Sequence, residues 1–511
     1  MKILYYRRQV FYCVAILMMV TLLLLLLILL FVSCKASNDK YLEQCLILAG
    51  KNRIEFEKVL NHYKNDPLKI EAAKFLIRNM SDEISVFQTY VENNNASRID
   101  STNIDICKRK INIGESYFRQ DSMKSDLENI SAIFLIDNID MAFKVWNSYS
   151  WCKKLPFSVF CNQILPYRLL SEPLTDWRQY YFYKHQKELD SLNALGASAK
   201  DVCFFINKKY QRKYIHAADI LPISLTYSQL NEIGGGTCSH LAYLATLEMR
   251  ACGVPLNYDI VVKHGKINGG HVYNSLDSCS DNDFIYFSPY ERAPERSKWR
   301  SHQIIRICFA DKEPEILKSF KYNYEVPEEI LSSNSYPTVT DKYYPISNIN
   351  IKIKSRNKEQ ILFLCTYNRG EFYAIAWSPI DNKTASFVKL TKELLYFPMF
   401  FIDGKFIAAD APFIIRENSN NQKIQLTMQY VTLKNLKLFA VKNDITKPNT
   451  DYSLYYWNKK WILFGKSKTD KNCFLSFDSV PKNTLYLLKG QGLDESIQRP
   501  FTNINDTIEY W

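Results

Sequence analysis

The sequence predicts an α+β chain with a helical N-terminal region, a mixed core and a C-terminal antiparallel β-sandwich region. Three observations carry that reading. From about residue 38 to residue 200, apolar side chains recur at helical spacing. Between Cys238 and Ser288 one helical pattern is followed by three short alternating segments. From Ile349 onward the period is mostly two, broken at Asn368-Arg369-Gly370 and Asp403-Gly404. A chain of 511 residues exceeds one ordinary core. It therefore divides into a leader over 1–33, a mostly helical domain over 34–200, a core over 201–305, a connector over 306–345 and an accessory β region of one or two small domains over 346–511.

The leader has a basic end, Lys2, Arg7 and Arg8, and then an uncharged run from Val10 to Ser33. That run suffices for one helical crossing of a bilayer, which takes about 20 residues. The positive-inside rule places the body of the chain outside the cytoplasm, on either an uncleaved anchor or a cleaved signal. The stretch Phe31-Val32-Ser33-Cys34 resembles a bacterial lipobox, with a small residue before a cysteine and Phe31 where leucine is usual. That resemblance implies lipidation at Cys34 and a lipid bilayer as partner. The expected location is the cell envelope, as an outer-membrane lipoprotein facing the periplasm or the cell surface.

In the helical region, Leu42, Cys45, Leu46 and Leu48, then Phe56, Val59, Leu60 and Tyr63, mark apolar faces. Asp66-Pro67 opens a further helix, with proline near its first position. ISAIFLIDNIDMAFKVWNSY and SEPLTDWRQYYFYKHQKELDSL supply two more helical patterns. His62 and His185 stand alone there and read as solvated or structural.

The core segment carries the chemistry. Gly234, Gly235 and Gly236 permit a tight turn, Thr237 suits a helix cap, and Cys238 falls in the first turn. Amide hydrogens and the positive helix end there favour a thiolate and offer donors to an oxyanion. The helix pattern stops at Gly253. Strands are expected over 257–262, 271–276 and 284–288. His271 opens the second of them, after Gly269 and Gly270, and is the expected base and later general acid. His240 is two residues from Cys238 and off its helix face, and His264 sits in a turn. A third group should orient His271. Ser288, Asp283, Glu291 and Asp277 are the candidates around the neighbouring strand.

The segments GGTCSHLAYLATLEMRACGVP and GGHVYNSL resemble the transglutaminase-like superfamily, whose core is papain-like with a Cys-His-Asp triad. The whole chain also resembles large Bacteroidetes lipoproteins with such a core, through NDPLKIEAAKFLIRNM, FCNQILPYRLLSEPLTDWR and RPFTNINDTIEYW. The resemblance implies Cys238 as nucleophile and His271 as base. Tyr273 stands where the family often has tryptophan, and Ser288 falls on the family's Asp position. A hydroxyl there carries no charge to stabilise an imidazolium, and loss of the carboxylate costs orders of magnitude in rate. Asp283 is the alternative third member. Two functions follow as expectations. One is a membrane-tethered thiol acyl-transfer enzyme, a cysteine peptidase or amidase acting on peptides or glycopeptides. The other is a catalytically impaired binding or scaffolding lipoprotein for a peptide or glycan.

Composition narrows the alternatives. The apolar fraction of 47% and charged fraction of 23% suit globular folding. The net charge of +12 is spread without a Lys/Arg block or a zinc-finger spacing, so no nucleic-acid partner is expected. The spacing of Cys238, His264 and His271 is not that of a zinc motif, and neither metal nor cofactor is expected. The 13 cysteines are scattered and define no disulfide pattern. The β region reads first as an accessory or packing domain, with exposed carbohydrate or peptide docking through Trp377, Trp457 or Trp461 as the alternative.

Overall fold

The computed structural model describes residues 19–20, 40–92, 95–98, 116–210, 212–215, 221–277, 284–288, 299–310, 325–327, 330, 336–353, 360–418, 421–424, 427, 429–440, 443–491, 497–504 and 507–511. Cys34, Asp283 and Glu291 lie outside the described residues. Among the described residues no helix is long and apolar enough to cross a membrane.

The N-terminal helices form where the apolar spacing places them. Helix α1 (Arg53–His62) buries Phe56 and Val59. Helix α2 (Pro67–Arg78) starts on Asp66, whose Oδ1 accepts from Lys69 N at 3.1 Å, with proline in the first turn. It buries Ala72, Ala73, Leu76 and Ile77.

A sheet then interrupts the region expected to be mostly helical. Strands β1 (Ile84–Glu92), β2 (Asn95–Arg98) and β3 (Ser116–Ser125) pair antiparallel in the order β2-β1-β3. The run ISVFQTYVE of β1 is rich in β-branched and aromatic residues and has no helix-period stripe. Helix α3 (Ala132–Ser148) follows, capped by Ser131 Oγ accepting from Phe134 N at 3.2 Å. Helices α4 (Trp177–Ala194) and α5 (Ala199–Lys209) complete this part. One apolar cluster joins Phe56, Leu76, Ile139, Phe160 and Ile206 to Met249 and Val254 of the next segment. The helical region is thereby built onto the core.

The core starts with helix α6 (Tyr227–Ile233), which ends at Gly234 with φ 79°, a left-handed position that favours glycine. Helix α7 (Cys238–Ala251) follows, and Gly253 at φ 73° turns the chain after it. Strands β4 (Asn257–His264), β5 (His271–Leu276), β6 (Ile285–Phe287) and β7 (Ser301–Ile307) make an antiparallel sheet in the order β6-β5-β4-β7. The sequence reading lacks β7, which runs across the expected boundary after residue 305.

The C-terminal region is β-rich. Among the described residues its two larger sheets have eight and five strands, with antiparallel pairing. The hairpin of β8 (Ile361–Asn368) and β9 (Glu371–Asp381) turns through Arg369 and Gly370 at φ 52° and 85°. That of β10 (Leu395–Ile402) and β11 (Lys405–Ala408) turns through Asp403 and Gly404 at φ 50° and 69°. Both pairs of positive φ suit a two-residue hairpin loop. Strand β12 (Asp451–Trp457) pairs with β13 (Trp461–Lys468) and with β14 (Leu485–Gly490). Phe363 and Phe397 of the larger sheet share a core with Trp457, Leu485 and Leu487 of the smaller one. Trp457 is buried, and Trp377 and Trp461 pack partly buried against the same cluster. These tryptophans pack in the core, in keeping with the expectation of a packing region and against the alternative of an exposed docking surface.

Candidate active site around Cys238, His271 and Ser288

Cys238 is the first residue of α7 and is partly exposed. The turn before it is tight for a visible reason. A Cβ on Gly235 would lie 2.2 Å from Lys213 O, and one on Gly236 would lie 2.6 Å from His240 Cβ. His240 completes the cap. Thr237 N donates to His240 Nδ1 at 3.2 Å, and Thr237 Oγ1 is 3.0 Å from the same nitrogen. His240 Nε2 lies 3.0 Å from Pro222 O. A ring whose Nδ1 accepts an N–H and whose Nε2 faces a carbonyl is the neutral Nε2–H tautomer. His240 is therefore a structural cap.

The sheet has two distinct faces. Val272 and Asn274 of β5 face α7: Val272 packs with Ala242 and Tyr243, and Asn274 Nδ2 donates to Thr246 Oγ1 at 2.9 Å. Tyr258 of β4 reaches the helix start, its hydroxyl donating to Ser239 O at 3.3 Å. Tyr273, between them, turns the other way. The His271 ring lies 4.6 Å from that of Tyr273, and Tyr273 packs with Val261, Ile304, Val339 and Tyr344.

At the start of β5, His271 Nε2 is 2.9 Å from Ser288 Oγ, just past the end of β6. Ser288 is buried, at 2% exposure. Burial pushes the His271 pKa down to about 4, so the ring is neutral at pH 7. His264 stacks on it with centroids 6.3 Å apart. Burial first, then the charges of His271 and Arg499, push His264 down to about 4 as well, and its Nδ1 is 3.2 Å from Ser301 Oγ.

Asp277 does not orient His271. It sits at the far end of β5, where Arg306 Nη1 and Lys342 Nζ each approach it at 2.5 Å. Those contacts belong to a buried network that sequence reasoning missed. Asp259 is fully buried and binds Arg306 Nε at 2.7 Å and Nη2 at 2.8 Å, Ser275 Oγ at 2.6 Å and Tyr343 Oη at 2.7 Å. Alternation alone would have put Asp259 on the Tyr273 face, but its partners come from segments far along the chain. Among the described residues, no group of three or more His, Cys, Asp or Glu side chains could hold a metal ion.

The loop before His271 is held by the β region. Asn368, at the tip of β8, accepts from Gly269 N at 2.9 Å and donates to His264 O at 3.3 Å and Ile267 O at 3.2 Å. Arg369 N donates to Asn268 Oδ1 at 3.0 Å. Arg499 donates to Tyr367 O at 2.5 Å and also reaches Gly265 O. None of these contacts is visible as a local pattern in the sequence.

No family model matches the chain, and a comparison with curated proteins finds no match. Among solved structures, the crystal structure of red sea bream transglutaminase aligns with 83% of this chain and 77% of its own, at 10% identity and a TM-score of 0.18. At that score the likeness is remote and carries no argument about activity. The established description is a mixed α/β chain, helical towards its N-terminus and β-rich towards its C-terminus.

Proposed function

We propose that the chain is a thiol acyl-transfer enzyme that hydrolyses amide bonds of peptides or glycopeptides, with Cys238 as nucleophile and His271 as its base. The single observation carrying this reading is the 2.9 Å contact between His271 Nε2 and Ser288 Oγ. It anchors one ring nitrogen on a buried hydroxyl, and in this reading the other, Nδ1, takes the Cys238 proton. The sulfur then attacks the amide carbon, and the oxyanion is met by amide hydrogens of the first turn of α7. The amine leaves with the proton held by His271. Water resolves the thioester and returns the thiol. In the same reading the chain works outside the cytoplasm, tethered through Cys34.

A second reading is favoured by a specific observation. Ser288 supplies no negative charge, and burial pushes His271 down to about 4. Both oppose the imidazolium that the reaction must pass through. A binding or scaffolding lipoprotein with a weakened site would keep this geometry.

Iodoacetamide labelling of the native chain near pH 7 tests the enzyme reading. A thiol whose pKa is lowered by one unit reacts about threefold faster near neutrality, because its thiolate fraction rises while its nucleophilicity falls. Cys238 should outrun Cys308 and Cys473, the other partly exposed cysteines among the described residues, by that factor, and His271→Ala should slow it. Slow labelling of all three at similar rates would refute it.

A further inference from the structure

Arg250 lies at the opposite end of α7 from Cys238, twelve residues along the helix, about 18 Å at a rise of 1.5 Å per residue. It lines a cavity of about 260 Å³ between the start of β1, the segment before α4 and the end of β7. Two arginines line this cavity, and they are treated differently. Arg168 is ion-paired: Nε lies 2.7 Å from Asp126 Oδ2, though without an aligned hydrogen bond, Nη2 reaches Asp126 Oδ1 at 2.9 Å and Ser85 Oγ at 2.8 Å, and Nη1 reaches Leu170 O at 3.2 Å.

Arg250 is comparably buried, at 3% exposure, but has no direct ion pair. Its Nη1 donates to Arg168 O at 2.8 Å, and its Nε, shielded from solvent, has no acceptor. Among the described residues no carboxylate forms an ion pair with it. Glu172 spends its carboxylate on the amides of Leu169 and Leu170, at 3.0 and 2.9 Å. Burial pulls the Arg250 pKa down to about 10, against the through-space charges of Glu172 and Glu83. A buried cation without a paired anion is costly unless something occupies the space beside it.

We propose that this cavity binds a monoanionic ligand, a carboxylate on a short aliphatic body, beside the Arg250 guanidinium. The guanidinium edge matches a planar carboxylate. Asp82 and Glu83 at the same cavity disfavour a dianion such as phosphate. Leu170, Ile307 and Phe309 supply apolar wall for the aliphatic part. The carboxylate could belong to a free short-chain acid or to the C-terminus of a peptide. The site is independent of the chemistry proposed at Cys238.

The test uses the full chain carrying Cys238→Ala. Butyrate, N-acetyl-alanyl-alanine, the amide of that dipeptide, and inorganic phosphate are titrated calorimetrically. In parallel, alkylation of Cys308, which lines the cavity, is followed with Cys473 as internal reference. Saturable one-site binding of butyrate, with several-fold slower alkylation of Cys308 and none at Cys473, is expected. Binding of the dipeptide acid as well, but not of its amide, would identify a peptide terminus as the source. Binding of butyrate alone would identify a free acid. Arg250→Gln should abolish binding. Because that variant may fail to fold, Ile223→Trp, at a half-exposed position on the rim, provides a second block and should also abolish it. No binding of either acid, equal binding of the amide or of phosphate, or unchanged binding in a folded Arg250→Gln or Ile223→Trp chain would overturn the proposal.

Discussion

Replacing Ser288 by aspartate should raise the pKa of His271, and the size of the shift follows from the geometry. Ser288 Oγ lies 2.9 Å from His271 Nε2, so a carboxylate in its place has its charge roughly 4 Å from the ring. Two opposite charges at that distance interact by about 4 kcal/mol at an effective dielectric of 20. At 1.36 kcal/mol per pKa unit, that corresponds to about three units. Part is lost, because Ser288 is 2% exposed and the new carboxylate must itself be desolvated. A net rise of about 1–2 units is expected, from about 4 towards the ordinary histidine range. A histidine depressed in the folded state contributes stability that is present above its unfolded pKa, near 6.5. That contribution is lost as pH falls through about 4. In Ser288→Asp this acid-sensitive contribution should shrink. The assay is a nitrogen-15 titration of the imidazoles, with His271 identified by its absence in His271→Asn; the chain has only 7 histidines to sort. A shift under about half a unit, or a fall, would refute the inference that the serine hydroxyl faces the ring that matters.

Three further outcomes follow from the contacts. Asp259→Asn leaves Arg306 with Asp277 as its one carboxylate partner among the described residues, and breaking a buried ion pair of this kind should cost about 3 kcal/mol, read in urea unfolding of the full chain. Asn368→Ala removes three hydrogen bonds to the 264–269 loop at roughly 1 kcal/mol each, so hydrogen exchange at the Gly269 amide should speed up while the strand β12 amides hold. If Gly269 exchanges at the parent rate, the β region does not hold the loop. For the leader, intact mass of membrane-extracted protein should begin at an acylated Cys34; a mass that keeps residues 1–33 would sink the lipobox reading.

What could be read in the sequence was local. Asp66-Pro67 fixes a helix start because an Asp cap and a first-turn proline act within one turn. Arg369-Gly370 and Asp403-Gly404 fix hairpins because a two-residue loop needs positive φ at both positions. The stop of α7 at Gly253 is legible for the same reason. The strands β1 to β3 were hidden because Thr89 and Arg98, or Ile84 and Ser125, pair across stretches that carry no hairpin dipeptide. Strand β7 was hidden because SHQIIRI alternates poorly, and its place beside β4 is fixed by a pairing across more than thirty residues. Asp259 and Arg306 are 47 residues apart, and no periodicity links them. Sequence reasoning named Cys238, His271 and Ser288 by motif and resemblance. It could not see how the loop before His271 is supported, because that support comes from Asn368 and Arg499, about 100 and 230 residues away.

That support bears on what the β region is for. The segment Lys263-His264-Gly265-Lys266-Ile267-Asn268-Gly269-Gly270 is polar and glycine-rich, and by itself would sample many conformations before His271. In the folded chain each part is held from outside. A Cβ on Gly265 would lie 2.1 Å from Leu394 Cδ2, so glycine is what lets the loop lie against the β region. A Cβ on Gly270 would meet Val261 O at 2.6 Å, which closes the loop onto β4. Lys266 pairs with Glu509 at 2.8 Å and sits 4.4 Å over the ring of Trp511, beside the C-terminus. Arg499, buried and pulled down to about 9 by that burial, spends its donors on loop and strand carbonyls. A buried cation used this way adds little net stability and mainly specifies one arrangement over others. The accessory region is therefore part of the machinery that sets the position of His271. Whichever function the site serves, that position depends on residues at the far end of the chain.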